Sequence, residues 1–178
     1  MALTVVIGGA RSGKTAVAAR LAESSGREVM LIATGEARDE EMAERIRRHR
    51  EARPETWETI EEPLDLEGSL SSVPAEACVV VDCLTLWVAN LLDRGHPAAE
   101  IEERGRAAAG IAAGRSGTTI AVTNEVGAGI VPVHPVARAF RDLHGRVNVD
   151  WTEVAERAVL VVAGRILPLQ PPAVLADE

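Results

Sequence analysis

The chain has 178 residues, 47% of them hydrophobic and only 2% aromatic, with a formal net charge of −8. That length suits one domain, residues 1–169, and the scarcity of rings means a core built from Val, Leu, Ile and Ala. The acidic balance and the lack of stacking platforms argue against general nucleic-acid binding. No apolar run is long enough to span a bilayer and no leader precedes the first strand, so a cytoplasmic location is expected.

In chain order, Leu3 to Ile7 is a β-branched apolar run and reads as a buried strand. It enters Gly8-Gly9-Ala10-Arg11-Ser12-Gly13-Lys14-Thr15, which fits the phosphate-loop pattern G-x-x-x-x-G-K-[ST] without mismatch. A helix follows from Ala16 to Glu23, then a strand from Glu28 to Ala33 closed by Thr34-Gly35. Asp39 to Arg53 reads as a helix stopped by Pro54, and Thr56 to Ile60 as a short strand. Pro63 to Pro74 is a connector with one or two helical turns. Cys78 to Asp82 is a strand, Leu84 to Leu92 a helix, and Ala98 to Ala113 a helix weakened by Gly105 and Gly110. Thr118 to Thr123 is a strand, and Pro135 to about Arg157 mostly helix. Val159 to Ala163 and Ile166 to Leu169 close the pattern as a hairpin around Gly164-Arg165. Residues 170–178 form a Pro-rich, loose tail. Strands alternating with helices imply a mostly parallel sheet with right-handed crossovers, whose carboxyl ends gather the ligand-binding loops.

Of 19 basic residues 18 are arginine, and the single lysine, Lys14, is the one inside the phosphate loop. Loop amides and the helix N-terminus cradle nucleotide phosphates, and a compact ammonium works as a point charge between them where a planar guanidinium would not fit. The Thr15 hydroxyl is placed to ligate Mg²⁺. Asp82, after four apolar residues, has the form of a second Mg²⁺-binding position, although an Asp at a strand end also caps helices. On the helix after Gly35, Met42, Ile46, His49 and Arg53 share one stripe. His49 is then either a half-buried packing residue or a nucleophile at a phosphate site. The crowding of Arg45, Arg47, Arg48, Arg50 and Arg53 disfavours imidazolium and offers charge to phosphates; the residues alone leave both readings open. Glu61 and Glu62 are solvated, or one of them accepts hydrogen bonds from a guanine edge. His96, His134 and His144 read as structural or solvated, and no zinc spacing appears. Cys78 and Cys83 flank a strand without a C-x-x-C pair and read as buried hydrophobes in a reducing compartment.

These residues together resemble the bifunctional adenosylcobinamide kinase/adenosylcobinamide-phosphate guanylyltransferase family. The resemblance rests on the loop Gly8 to Thr15, on Ile32-Ala33-Thr34, and on Met42-Ala43-Glu44-Arg45-Ile46 leading to His49 and Arg53-Pro54. It continues through Val81-Asp82-Cys83-Leu84-Thr85-Leu86-Trp87, Thr123-Asn124-Glu125-Val126-Gly127, Gly129-Ile130-Val131-Pro132 and Gly145-Arg146-Val147-Asn148. It implies a P-loop NTPase (RecA-like) α/β fold of three layers with a mostly parallel central sheet. It implies phosphorylation of adenosylcobinamide, then guanylyl transfer from GTP to adenosylcobinamide phosphate through a GMP-histidine at His49. Lys14 joins His49 as catalytic. Nucleotide contacts map onto Gly8 to Thr15, Ala33, Thr34, Gly35, Arg50, Glu51, Ala52, Arg53, Glu61 and Asp82, with Mg²⁺ on Thr15 and Asp82. ATP and GTP are the implied nucleotides, adenosylcobinamide and its phosphate the partners, and a homotrimer the implied assembly. Rival readings are a small-alcohol P-loop kinase without a covalent intermediate, a guanylyltransferase that has lost its kinase activity, and a GTPase-like switch. The last lacks the Asn-Lys-x-Asp segment that reads guanine.

Overall fold

In the computed structural model, residues 3–51 and 54–172 are described. Seven strands form one sheet: β1 (Leu3–Gly8), β2 (Val29–Ala33), β3 (Glu58–Glu61), β4 (Cys78–Asp82), β5 (Thr119–Asn124), β6 (Arg157–Val162) and β7 (Arg165–Leu169). Their order across the sheet is β3-β2-β4-β5-β1-β6-β7. All neighbours run parallel except the β6–β7 hairpin. The helices are α1 (Lys14–Ser24), α2 (Glu40–Glu51), α3 (Leu66–Ser72), α4 (Leu84–Asp93), α5 (Ala98–Gly114) and α6 (Pro135–Glu153).

Strand side chains alternate between faces, so a strand covered on both sides must be apolar throughout. Leu3, Val5 and Ile7 of β1, with Val79 and Val81 of β4, pack under α3 to α6, where Trp87, Leu91, Ile101, Leu143 and Trp151 are fully buried or nearly so. Val6, Val80, Ile120 and Val122 face the other way, against Val17, Ala18 and Ala22 of α1. The three expected layers are thus present. The strand expected at Thr56–Ile60 lies at Glu58–Glu61, held by its register with Met30–Ala33. The last long helix stops at Glu153 rather than near Arg157, because Arg157 is taken into the sheet opposite Thr4. Gly105 does not break α5, and it is buried against Val147 of α6. Of the expected loose tail only Gln170–Pro172 fall within the described residues. No helix among the described residues is long and apolar enough to cross a membrane.

One buried polar network seats the centre of the sheet. The Asn124 N–H donates to Thr85 Oγ1 at 2.8 Å, and its carbonyl accepts from His144 Nε2 and Asn148 Nδ2, each at 3.0 Å. Thr123 Oγ1 donates to Asn148 Oδ1 at 2.7 Å. Helices α4 and α6 thereby fix the peptide of Asn124, which pairs with Gly8 at the mouth of the phosphate loop. The Glu125 N–H adds a bond to the Gly8 carbonyl at 3.2 Å. His144 is structural, as its sequence position allowed, and fully buried rather than solvated. Its ring stacks on Phe140 with centroids 5.5 Å apart. Since a carbonyl only accepts, Nε2 carries the proton, and Nδ1 is buried without a partner among the described residues, where burial disfavours a second proton.

Burial holds the His144 pKa below its ordinary 6.5. The unfolded chain takes up a proton as pH falls below that value, whereas the folded chain does not. The contribution of the neutral ring is therefore intact above pH 6.5 and lost below it, by at most about 1.4 kcal/mol per pH unit. His144→Asn should cost roughly 1–3 kcal/mol at pH 7.5 and lose less stability than wild type between pH 7.5 and 5.5. Urea midpoints at the two pH values check this; equal losses would contradict it.

Candidate active site

The loop from Gly8 to Thr15 has the backbone that a phosphate cradle requires. A Cβ on Gly8 would lie 2.7 Å from the Val161 carbonyl oxygen, and Gly13 caps α1 at φ +95°, a region that favours glycine. Arg11 also takes a positive φ, 54°. The far end of the sheet supports the loop. The Gly164 N–H, in the β6–β7 turn, donates to the Ser12 carbonyl at 2.8 Å. A Cβ on Gly13 would come within 3.2 Å of the Gly164 Cα. The hairpin is legible in sequence, but its role as a buttress for the loop is not.

Lys14 is buried, and its Nζ donates to the Gly9 carbonyl at 3.0 Å. Desolvation lowers its pKa; Cys83 and Asp82 act to raise it, and the charge of Arg45 lowers it further. The ammonium therefore sits curled over its own loop, beside the carboxyl end of β4. The Ser12 hydroxyl is buried in the loop without a hydrogen-bond partner.

Beside the loop a cleft opens along the carboxyl ends of the strands. Register sets Glu61, Ala33 and Asp82 side by side on β3, β2 and β4. Helix α2 lies over them and contributes Met42, Arg45, Ile46, His49 and Arg50, while Gly35, Cys83 and Leu86 complete the lining. His49 Nδ1 is 3.7 Å from Asp82 Oδ2. Burial, with Asp82 beside it, pushes the Cys83 thiol up to about 11, so this thiol is inert. Cys78 is buried as well, and neither cysteine is in a disulfide.

Among the residues expected to touch nucleotide, Ala33, Gly35, His49, Arg50, Glu61 and Asp82 line the cleft. Thr34 occupies another role. It is fully buried, its N–H donates to the Asp82 carbonyl, and its hydroxyl donates to the Cys83 carbonyl at 2.6 Å and accepts from the Cys83 N–H at 2.8 Å. Asn90 Nδ2 donates to the Thr34 carbonyl at 2.7 Å. Thr34 thus clamps the ends of β2 and β4 together and holds Asp82 at the cleft. Glu51 is exposed and paired with Arg47 at 2.6 Å, away from the lining. Ala52 and Arg53 lie outside the described residues. Glu61 and Glu62, equivalent in sequence, take different places in the structure. Glu62 turns to accept from the amides of Leu64 and Asp65, both at 2.9 Å, whereas Glu61 faces the cleft and pairs with Arg50.

Three of the four described arginines of the crowd are paired with carboxylates rather than free. Successive helix positions point about 100° apart, so the charges disperse. Arg47 pairs with Glu44 and Glu51, Arg48 with Glu44, and Arg50 with Glu61. The ionic neighbour of the His49 ring is the Asp82 carboxylate. Two lining residues escaped the sequence reading as individuals, Arg45 and Leu86; the i, i+4 spacing of Arg45 from His49 was the available signal. The entry into α2 is anchored by Glu36, which accepts from Arg94 and Arg38. These bonds, Arg94 first, hold its carboxyl down at about 2.

Comparison with known proteins agrees with this fold. The fold is similar to that of the RadB recombinase, with a TM-score of 0.50 and 20% identity over 89% of this chain and 73% of that one. It is also similar to an ATPase from the type III secretion system of pathogenic bacteria, with a TM-score of 0.55 and 9% identity over 89% of this chain and 50% of that one. Both likenesses speak for the P-loop NTPase fold alone. In sequence the chain is 43% identical to the bifunctional adenosylcobalamin biosynthesis protein CobP of Pseudomonas aeruginosa, over 93% of this chain and 96% of the relative. It is 39% identical to the bifunctional adenosylcobalamin biosynthesis protein CobU of Escherichia coli, over 91% of this chain and 96% of the relative. A family model described as cobinamide kinase / cobinamide phosphate guanyltransferase matches residues 4–169, and the chain belongs to that family.

Proposed function

We propose that the chain phosphorylates adenosylcobinamide and then carries a guanylyl group from GTP to adenosylcobinamide phosphate on His49. The observation that carries this reading is the position of the His49 ring. It stands in the cleft beside the phosphate loop, with Nδ1 3.7 Å from the Asp82 carboxylate.

With its Nδ1–H turned toward Asp82, the neutral ring presents the Nε2 lone pair to the α-phosphorus of GTP. The N–P bond forms as the bridging α–β P–O bond breaks, and pyrophosphate leaves with the electron pair. The ring keeps its Nδ1 proton and becomes cationic, and the Asp82 carboxylate faces that charge as it develops. A phosphate oxygen of the second substrate then attacks the same phosphorus, the N–P bond breaks, and the neutral ring is restored. No proton needs to move in either step. Lys14 and the loop amides hold the phosphates in both reactions. In the kinase reaction they steady the γ-phosphoryl group of ATP or GTP as it passes to the substrate hydroxyl. Thr15, exposed at the start of α1, and Asp82 are hard oxygen donors and suit Mg²⁺ completed by phosphate and water. When bound, Mg²⁺ neutralises polyphosphate charge.

The substrates come from the family to which the chain belongs. A homotrimer is part of the same reading, supported by Ile130 and Val133, which are 98% and 94% exposed just before α6. A cytoplasmic location accords with the two free cysteines.

GTP labelled at the α-phosphate should leave acid-labile label on the wild-type protein and none above background on His49→Ala. Label retained by that variant would refute the intermediate, and an unlabelled wild type that still phosphorylates cobinamide would favour the simple kinase. In the same reading Glu61, on the cleft lining, accepts from the guanine N1–H and N2–H₂. Glu61→Gln should therefore reduce the preference for GTP over ITP about tenfold, a loss of about 1.4 kcal/mol in discrimination; an unchanged ratio of kcat/KM would dismiss that role.

A further inference from the structure

The four described arginines of α2 have distinct fates. Three of them hold carboxylates: Arg47 and Arg48 on their own helix, and Arg50 on β3. Arg45 makes no hydrogen bond or ion pair among the described residues, yet it lines the cleft one helical turn before His49. A guanidinium that lines a cleft without a carboxylate partner of its own is open to an arriving anion. The carboxylate of Asp82 lines the same cleft, but it faces the His49 ring and forms no ion pair with Arg45.

We propose that Arg45 is a further catalytic residue, whose guanidinium grips the triphosphate from the α2 side and stabilises the departing pyrophosphate as His49 is guanylylated. The inference rests on the guanylyl-transfer reading above. Lys14 holds the phosphate chain from the loop, as a point charge. The planar fork of Arg45 supplies two parallel N–H donors to phosphate oxygens. As the His49 N–P bond forms and the α–β P–O bond breaks, the electron pair settles on the pyrophosphate oxygens, and the guanidinium bonds tighten there. Placing Arg45 and His49 four residues apart on one helix brings nucleophile and clamp to the phosphates together.

The test is single-turnover labelling of His49 with α-labelled GTP in wild type, Arg45→Ala and Arg47→Ala, the last removing an exposed arginine outside the cleft. Arg45→Ala should label about 100-fold more slowly, and millimolar guanidinium ion should restore part of the rate. Arg47→Ala should match wild type. A rate for Arg45→Ala within threefold of wild type, or a slow rate that guanidinium ion does not raise, overturns the proposal. Failure of wild type itself to take label would instead overturn the guanylyl-transfer reading, and the role of Arg45 with it.

Discussion

A lysine ammonium shielded from water, resting on a carbonyl of its own loop, is the constraint around which this molecule is organised. Lys14 is 8% exposed and bonded to Gly9. Burial raises the free energy of its charged form, and the carboxylate of Asp82 recovers only part of that. Such a group is most favourable when phosphate oxygens replace the carbonyl. Each supporting device keeps this waiting state in place: the left-handed turn at Gly13, the Gly164 hairpin behind the loop, and the row Glu61–Ala33–Asp82 beside it.

The scaffold does this by tying loop ends rather than by making them rigid through bulk packing. Thr34 directs its amide and hydroxyl to the end of β4, while His144 and Asn148 hold the end of β5. Both knots lie at the carboxyl edge of the sheet, where side chains must stay in register to within a fraction of an ångström to act on one phosphate chain. Helix α2 has no buried residue and is positioned by its half-buried stripe and by the Glu36 anchor at its entry. In the proposed reaction the same ring meets a nucleotide first and a corrinoid phosphate second, and a helix positioned in this way is compatible with both transfers.

Much of the architecture could be read from the residues. Buried parallel strands are continuous apolar runs, so Cys78–Asp82 was bounded correctly and the order of elements held throughout. The loop was legible because its chemistry demands particular residues at fixed spacing. Other features depend on partners distant in sequence. Glu61 and Glu62 are equivalent on paper; only the amides of Leu64 and Asp65 show that Glu62 turns away while Glu61 lines the cleft. Thr34 looks like a ligand contact until Asn90 and Cys83 arrive beside it. A crowd of arginines looks like a positive field until three of its four described members are seen to pair with glutamates, two of them on the same helix.

The account stands on the imidazole of His49 meeting the α-phosphate of a nucleotide held by the loop. A crystal structure with Mg²⁺ and α,β-methylene-GTP, which cannot release pyrophosphate, measures this directly. The account predicts β- and γ-phosphates on the Gly8–Thr15 amides and His49 Nε2 about 3–3.5 Å from the α-phosphorus, in line with the methylene carbon. Phosphates bound elsewhere, or an α-phosphorus with the ring turned away beyond about 6 Å, would contradict it.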